Sequence, residues 1–318
     1  MTEIGYALSS EELRPDALIA NAKRAEEVGF TFALISDHFH PWTSKQGESS
    51  FAWSVLGGLA RETTALRFGT GVTCPLIRMH PAIVAQAAAT VATMMPGRFF
   101  LGVGTGENLN EHIVGRGWPP ADERLDMLEE AVALIRKLWR GEETTKRGSH
   151  YTVEQARIYT MPDEPPPIYV AAAAQNSAEL AGRIGDGLIC TRPDADVVKT
   201  FESKRADAAP KIGMLHVCYA ASEEEAKRTA HEIWPNAGIK GELTQELPLP
   251  RHFEQAAQNV REEDVASSVV CGPDADRHVE AILEFVRAGF DHVYVHQVGR
   301  EQEAFFRFYE EKVLPKAA

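Results

Sequence analysis

Asp37, His38 and Trp42 fall together in the stretch Ser36-Asp37-His38-Phe39-His40-Pro41-Trp42, directly after the apolar run Thr31 to Ile35. An acid beside an imidazole is equipped for proton transfer near neutral pH. An indole offers a face for a flat ligand or for developing positive charge. Two more carboxylates have comparable surroundings. Glu11 follows the apolar segment Ile4 to Leu8, and Glu107 ends Gly102-Val103-Gly104-Thr105-Gly106-Glu107. Each residue also has a plainer reading: His38 as a satisfied structural group, Asp37 as the head of an Asx-turn, Glu107 as a helix cap, Trp42 as loop packing. Their shared placement just beyond apolar runs favours one common site.

Those runs are the elements that must position them. Ile4 to Leu8, Thr31 to Ile35, Leu66 to Val72, Arg98 to Val103, Pro167 to Ala172, Gly187 to Thr191, Ile212 to Ala220 and Asp291 to His296 read as eight strands. Helical patterns lie between them. Leu18, Ala22, Ala25 and Val28 recur at helical spacing before Gly29, with Ser10 as a candidate cap, and Pro81 opens another helix at its first turn. Further helices are expected over 51–61, 121–139, 177–184, 223–234, 276–288 and 301–314. Residues 146–160 break the rhythm as an inserted hairpin, and residues 236–275 as an inserted helical excursion. The alternation predicts an α/β fold of the TIM type, a (β/α)8 barrel, as one domain over residues 1–318. An open doubly wound sheet is the alternative.

In a parallel barrel, the C-terminal strand ends share one mouth. The first strand would deliver Ser9, Ser10 and Glu11; the second Asp37, His38 and Trp42; the third Gly71, Val72, Thr73 and Cys74. The fourth would deliver Thr105, Glu107 and Asn110, the sixth Thr191 and Arg192, the eighth His296.

The net charge of −13 argues against a nucleic-acid partner, which needs clustered Lys and Arg, and shows no basic face for a membrane. No apolar run is long enough to span a bilayer, and no signal peptide is indicated. Cys74, Cys190, Cys218 and Cys271 are far apart, which fits a reducing cytoplasm and no metal site. His38 and His40 form an H-x-H pair, but no matching ligand set follows downstream. The spacing Gly102-x-Gly104-x-Gly106 departs from the dinucleotide fingerprint, and these glycines are expected to let a ligand approach the backbone.

With these residues placed, the chain resembles the luciferase-like barrel superfamily. Within it, the chain is similar to the branch that uses the deazaflavin coenzyme F420, the glucose-6-phosphate and secondary-alcohol dehydrogenases. The resemblance rests on Ile4-Gly5-Tyr6 with Glu11, Ser36 to Trp42, Gly69-Thr70-Gly71-Val72-Thr73-Cys74-Pro75, Pro81 to Gln86, and Pro96 to Glu107 with Asn110-Glu111. It implies an F420-dependent oxidoreductase moving a hydride between C5 of the deazaflavin and an alcohol, sugar or carbonyl substrate. His38 would be the base, Glu107 the acid that protonates the reduced ring, Trp42 a stabiliser of charge, and Glu11 a member of the proton network. Asp37 would hold the ring or ribityl chain, with Cys74, Thr105 and Asn110 beside it, and Gly71-Val72 would form a non-prolyl cis peptide behind the ring.

Two departures stand out. The run Ala171-Ala172-Ala173-Ala174-Gln175-Asn176 replaces the glycine pair whose amides receive the cofactor phosphate, leaving Ala173, Ala174 and Asn176 for that task. Asp194 stands where sugar-phosphate members carry a lysine, and Arg192 is displaced by two positions. The resemblance with these departures favours an uncharged alcohol, sugar or carbonyl over glucose 6-phosphate. Family members are commonly homodimers. An FMN-dependent luciferase-like monooxygenase and a non-catalytic flavin- or deazaflavin-binding barrel are the alternatives.

Overall fold

A computed structural model describes residues 2–317. Eight parallel strands form its ring: β1 (Glu3–Leu8), β2 (Phe32–Ile35), β3 (Arg67–Thr70), β4 (Phe99–Val103), β7 (Ile168–Ala171), β8 (Gly187–Cys190), β9 (Lys211–Cys218) and β11 (His292–Gln297). The ring closes because β11 pairs with both β9 and β1, with Ile4 opposite Val293, while β9 also pairs with β8. Closure excludes the open doubly wound sheet. The antiparallel hairpin β5 (Thr144–Arg147) and β6 (Thr152–Ala156) is the first insertion, and β10 (Val270–Cys271) pairs with β9 alone.

The helices in chain order are α1 (Pro15–Val28), α2 (Ala52–Glu62), α3 (Pro81–Met94), the short α4 (Asn108–Glu111), α5 (Ala121–Leu138), α6 (Gln175–Ile184), α7 (Ala195–Ser203) and α8 (Glu223–Ile233). The second insertion supplies α9 (Leu243–Glu246), α10 (Pro250–Ala256) and α11 (Glu262–Ala266), before α12 (Ala275–Arg287) and α13 (Glu303–Phe308). Periodicity passes over α7 because it is two turns long and buries only Val197, Val198 and Phe201. Ser10 does not cap α1. Arg14 holds that position without a side-chain bond and Pro15 opens the helix, while the Ser10 hydroxyl donates to Ser36 O at 2.8 Å and ties β1 to β2.

Side chains alternate inward and outward along a barrel strand. Ala7, Phe32, Leu34, Phe100, Ile189, Ile212 and Tyr294 fill the interior, with Val72, Tyr169 and Met214 against them. Gly69 is needed there, since a Cβ at that position would meet the Phe100 ring at 1.9 Å. Two residues further toward the mouth, the same inward faces carry Ser9, Ser36, His216 and His296. The barrel is thus apolar below and polar at its rim.

The glycines of 102–106 are required by close packing between neighbouring strands and loops. A Cβ at Gly102, Gly104 or Gly106 would meet Thr70 O at 1.9 Å, Val72 Cγ2 at 2.8 Å or Cys74 Sγ at 2.6 Å. They let β4 and its following loop lie against β3 and its own loop. The Gly71–Val72 peptide is cis.

Candidate active site

Glu11, His38, Trp42 and Glu107 come from the loops after β1, β2 and β4 and meet at the mouth. His38 Nδ1 lies 3.2 Å from His40 O and 3.4 Å from Glu11 Oε1. Both neighbours accept hydrogen bonds, so Nδ1 carries the proton and Nε2 holds the lone pair. Nε2 faces Glu107 Oε2 at 3.9 Å across a partly open space, with the His38 side chain 11% and the Glu107 side chain 31% exposed. Trp42 packs on His38 with ring centres 5.1 Å apart.

Each of these groups is held from behind. Glu11 is buried, and its Oε2 accepts from the Ser36 hydroxyl at 2.5 Å and from the Ser9 hydroxyl at 3.1 Å. Trp42 donates its backbone N–H to Gln46 Oε1 at 2.8 Å and rests edge-on against Phe253 of α10. The second insertion is therefore the back wall of the indole, a role that composition did not reveal. Glu107 begins α4 without capping it, and its Oε2 accepts from Asn110 Nδ2 at 3.2 Å. The Asn110 carbonyl oxygen accepts from the backbone N–H groups of Phe39 and His40, which locks the two loops together.

Asp37 and Cys74 stand deeper than the sequence reading placed them. The Asp37 carboxylate is fully buried; Oδ2 accepts from the Thr73 hydroxyl at 2.7 Å and Oδ1 from Arg78 Nη2 at 2.9 Å. Arg78 also pairs with buried Glu111, whose Oε2 accepts the Arg78 backbone N–H at 2.7 Å. Burial works against the Arg78 charge, yet Asp37 and Glu111 hold its pKa above the usual value. Asp37 thus anchors the loop through Thr73 and Arg78. The Cys74 thiol lies under Gly106, pushed well above its ordinary pKa by burial with Glu111 adding to it. It is a packing group. Arg78 was not foreseen, because nothing local marks it as the partner of residues on two other loops.

The opposite rim is more open. Ala173, Ala174 and Asn176 are exposed at the start of α6, whose N-cap is Ala174. The side chain of Asn176 does not cap this helix. Ser177 Oγ instead accepts from the Ala173 and Ala174 N–H groups at 3.2 and 3.1 Å, leaving the first amides of α6 free. Thr191 and Arg192 are exposed beyond β8, and Asp194 caps α7 by accepting from the Asp196 and Val197 N–H groups. Thr105, Gly71 and Val72 are half-buried between the two rims.

His40 Nδ1 lies 2.9 Å from Leu109 O, away from His38, and among the described residues no three His, Cys, Asp or Glu side chains are grouped to hold a metal ion. Among the described residues no helix is long and apolar enough to cross a membrane.

A closed parallel barrel whose rim sets an imidazole between two carboxylates and beside an indole defines the class: an enzyme of the (β/α)8-barrel type. The sequence pattern of the luciferase-like monooxygenase family matches residues 1–292, and the chain belongs to that family. F420-dependent glucose-6-phosphate dehydrogenase of Microbacterium testaceum is 36% identical over 324 residues, which are 98% of this chain and 96% of the relative. F420-dependent hydroxymycolic acid dehydrogenase of Mycobacterium tuberculosis is 37% identical over 320 residues, 98% of this chain and 88% of the relative. The solved structure of an F420-dependent secondary alcohol dehydrogenase, in complex with an F420–acetone adduct, superposes with a TM-score of 0.92 at 29% identity. It covers 100% of this chain and 99% of that one.

Proposed function

We propose that the protein is an F420-dependent oxidoreductase that interconverts an alcohol and its carbonyl compound. The names of its relatives support the cofactor, and the placement of His38 Nδ1 beside His40 O and Glu11 is the observation that carries the chemistry. With Nδ1–H committed to His40 O and Glu11, Nε2 is a free base at the mouth. The site also suits the cofactor. The strip from Val72 and Gly104 to Ala171 has small side chains that admit a flat ring, and the free amides at the head of α6 suit an anionic group. When bound, F420 supplies the ring carbon that accepts or donates the hydride.

His38 Nε2 takes the hydroxyl proton of the alcohol, and Glu11 stabilises the imidazolium through Nδ1–H. Trp42 walls the reacting centre and faces the charge that develops there. Glu107, partly exposed and steadied by Asn110, is placed to pass the second proton at the mouth. Asp37 positions the His38 loop through Arg78. Ala173, Ala174 and Asn176 bound the anion site, while Thr191 and Arg192 meet the outer end of the substrate. Asp194 places negative charge at that rim, so glucose 6-phosphate is a poor substrate and an uncharged alcohol, sugar or carbonyl a good one.

The chain works as one domain and as a homodimer. The apolar groove between α2 and α3, lined by Trp53, Ile83, Ala87 and Met94, receives the second copy; light scattering of the purified protein reads this directly. All four cysteines are unpaired and buried, in keeping with a cytoplasmic setting.

The test is to titrate the protein with F420 and with FMN, then follow bleaching of F420 absorbance over a panel of alcohols and sugars. F420 binding with alcohol-dependent bleaching is expected. FMN binding with oxygen consumption would replace this reading by a monooxygenase, and F420 binding without turnover by a carrier barrel.

A further inference from the structure

Glu12, adjacent to Glu11 in the chain, turns to the other side of the mouth. Its Oε2 accepts the Gly299 N–H at 2.7 Å, and its Oε1 lies 2.6 Å from His296 Nε2 and 3.1 Å from the Ser9 hydroxyl. His296 Nδ1 in turn lies 2.9 Å from His216 Nδ1. The two histidines face each other in the β9–β11 register and both sit on the inward, mouth-end layer of the barrel. Trp234 packs on both rings. Glu12 and His296 are buried, whereas His216 is only partly so. The proposed chemistry uses none of these three groups.

The hydrogen positions follow from counting donors. A carboxylate can only accept, and Glu12 already takes the Gly299 N–H, so it is the accepting end of the line and His296 donates from Nε2. A neutral His296 then has its lone pair on Nδ1, and His216 must donate to it from Nδ1. The His216 lone pair is left on Nε2, which among the described residues has no protein partner, on a ring that is only partly buried. Burial, aided by His296, depresses the His216 pKa to about 3, so it stays a neutral acceptor at ordinary pH. A carboxylate and an imidazole thus fix the tautomer of one partly buried ring.

We infer that His216 Nε2 accepts a hydrogen bond from a substrate hydroxyl other than the reacting one, so that the mouth selects vicinal diols and sugars over plain alcohols. This rests on the reading of the site as an alcohol–carbonyl oxidoreductase. His216 is the specificity residue; His296 and Glu12 are positioning residues that act through it.

Two measurements decide the matter. In the protein without cofactor, 15N NMR of labelled histidines at neutral pH should show His216 protonated at Nδ1 and bare at Nε2, with His296→Phe abolishing that preference. A His216 protonated at Nε2 overturns the inference, whatever the enzyme does. In F420-dependent turnover, butane-2,3-diol should have a higher kcat/KM than butan-2-ol. His216→Phe should lower that ratio about tenfold, mainly through KM, as expected for one lost hydrogen bond. His216→Gln, which keeps an acceptor, should restore part of it. An unchanged ratio in His216→Phe, or no diol preference in the parent, overturns the inference. Absence of F420 turnover with every alcohol would instead remove the functional reading, leaving the tautomer measurement to stand by itself.

Discussion

The two rims of the mouth are built differently. On the β1–β2–β4 side, the polar groups behind the mouth are tied to one another. Asp37, Arg78 and Glu111 form a buried ion cluster, Asn110 staples two loops, and Glu11 takes two hydroxyl donors. On the β7–β8 side, the loops carry alanines, an exposed threonine and arginine, and free helix amides. A group that must exchange a proton needs fixed geometry, because small displacements are costly in rate. A surface that discriminates among substrates can change without disturbing that geometry. On the proposed reading, the first rim serves the chemistry and the second the choice of substrate.

The sharpest way to break this contrast is to cut the lock. Arg78→Leu leaves Asp37 and Glu111 as unpaired buried carboxylates, and should cost about 3–5 kcal/mol in urea unfolding. A loss below about 1 kcal/mol would mean that the cluster does not hold this rim. His38→Ala should lower kcat by roughly 10²–10⁴-fold, while F420 affinity, read by fluorescence, changes far less. Equal loss of turnover and binding would favour a carrier barrel over an enzyme.

Acid should reveal how far the locked character extends. Burial lowers His278 to about 4 and His216 to about 3, below the ordinary histidine value. The unfolded chain therefore binds more protons as pH falls. Their contribution to stability is complete above about pH 6.5 and declines below it, by up to about 1.4 kcal/mol per pH unit for each ring. For His278 the decline runs to about pH 4. His278→Gln should flatten the slope of unfolding free energy between those values, and an unaltered slope would contradict the assignment. The smallest effect belongs to the open rim. Asp194→Lys removes the α7 cap at a cost of about 1 kcal/mol and should raise kcat/KM for glucose 6-phosphate. No gain with that sugar would separate Asp194 from substrate choice.

Much of this was legible in the chain. The eight apolar runs and the convergence of Glu11, His38, Trp42 and Glu107 follow from period and from placement after strands, and the hairpin expected over 146–160 from the broken rhythm is found over 144–156. The depth of Asp37 and Cys74 was not legible, because residue type says what a side chain can do and not which way a loop turns it. Phe253 escaped notice because it lies in a stretch with little period of its own.

Period and residue type alone determined the barrel and the chemical character of its mouth, since both depend on spacing within a few residues. Partnership was decided only by the closed ring. Glu11 and Glu12 are neighbours of the same type, yet one serves His38 and the other reaches His296, 284 residues away. Arg78 found Asp37 and Glu111, and His216 found His296, in the same manner. Contacts between distant segments are fixed by how strands close around a common axis, and no local pattern encodes which side chains that closure brings face to face.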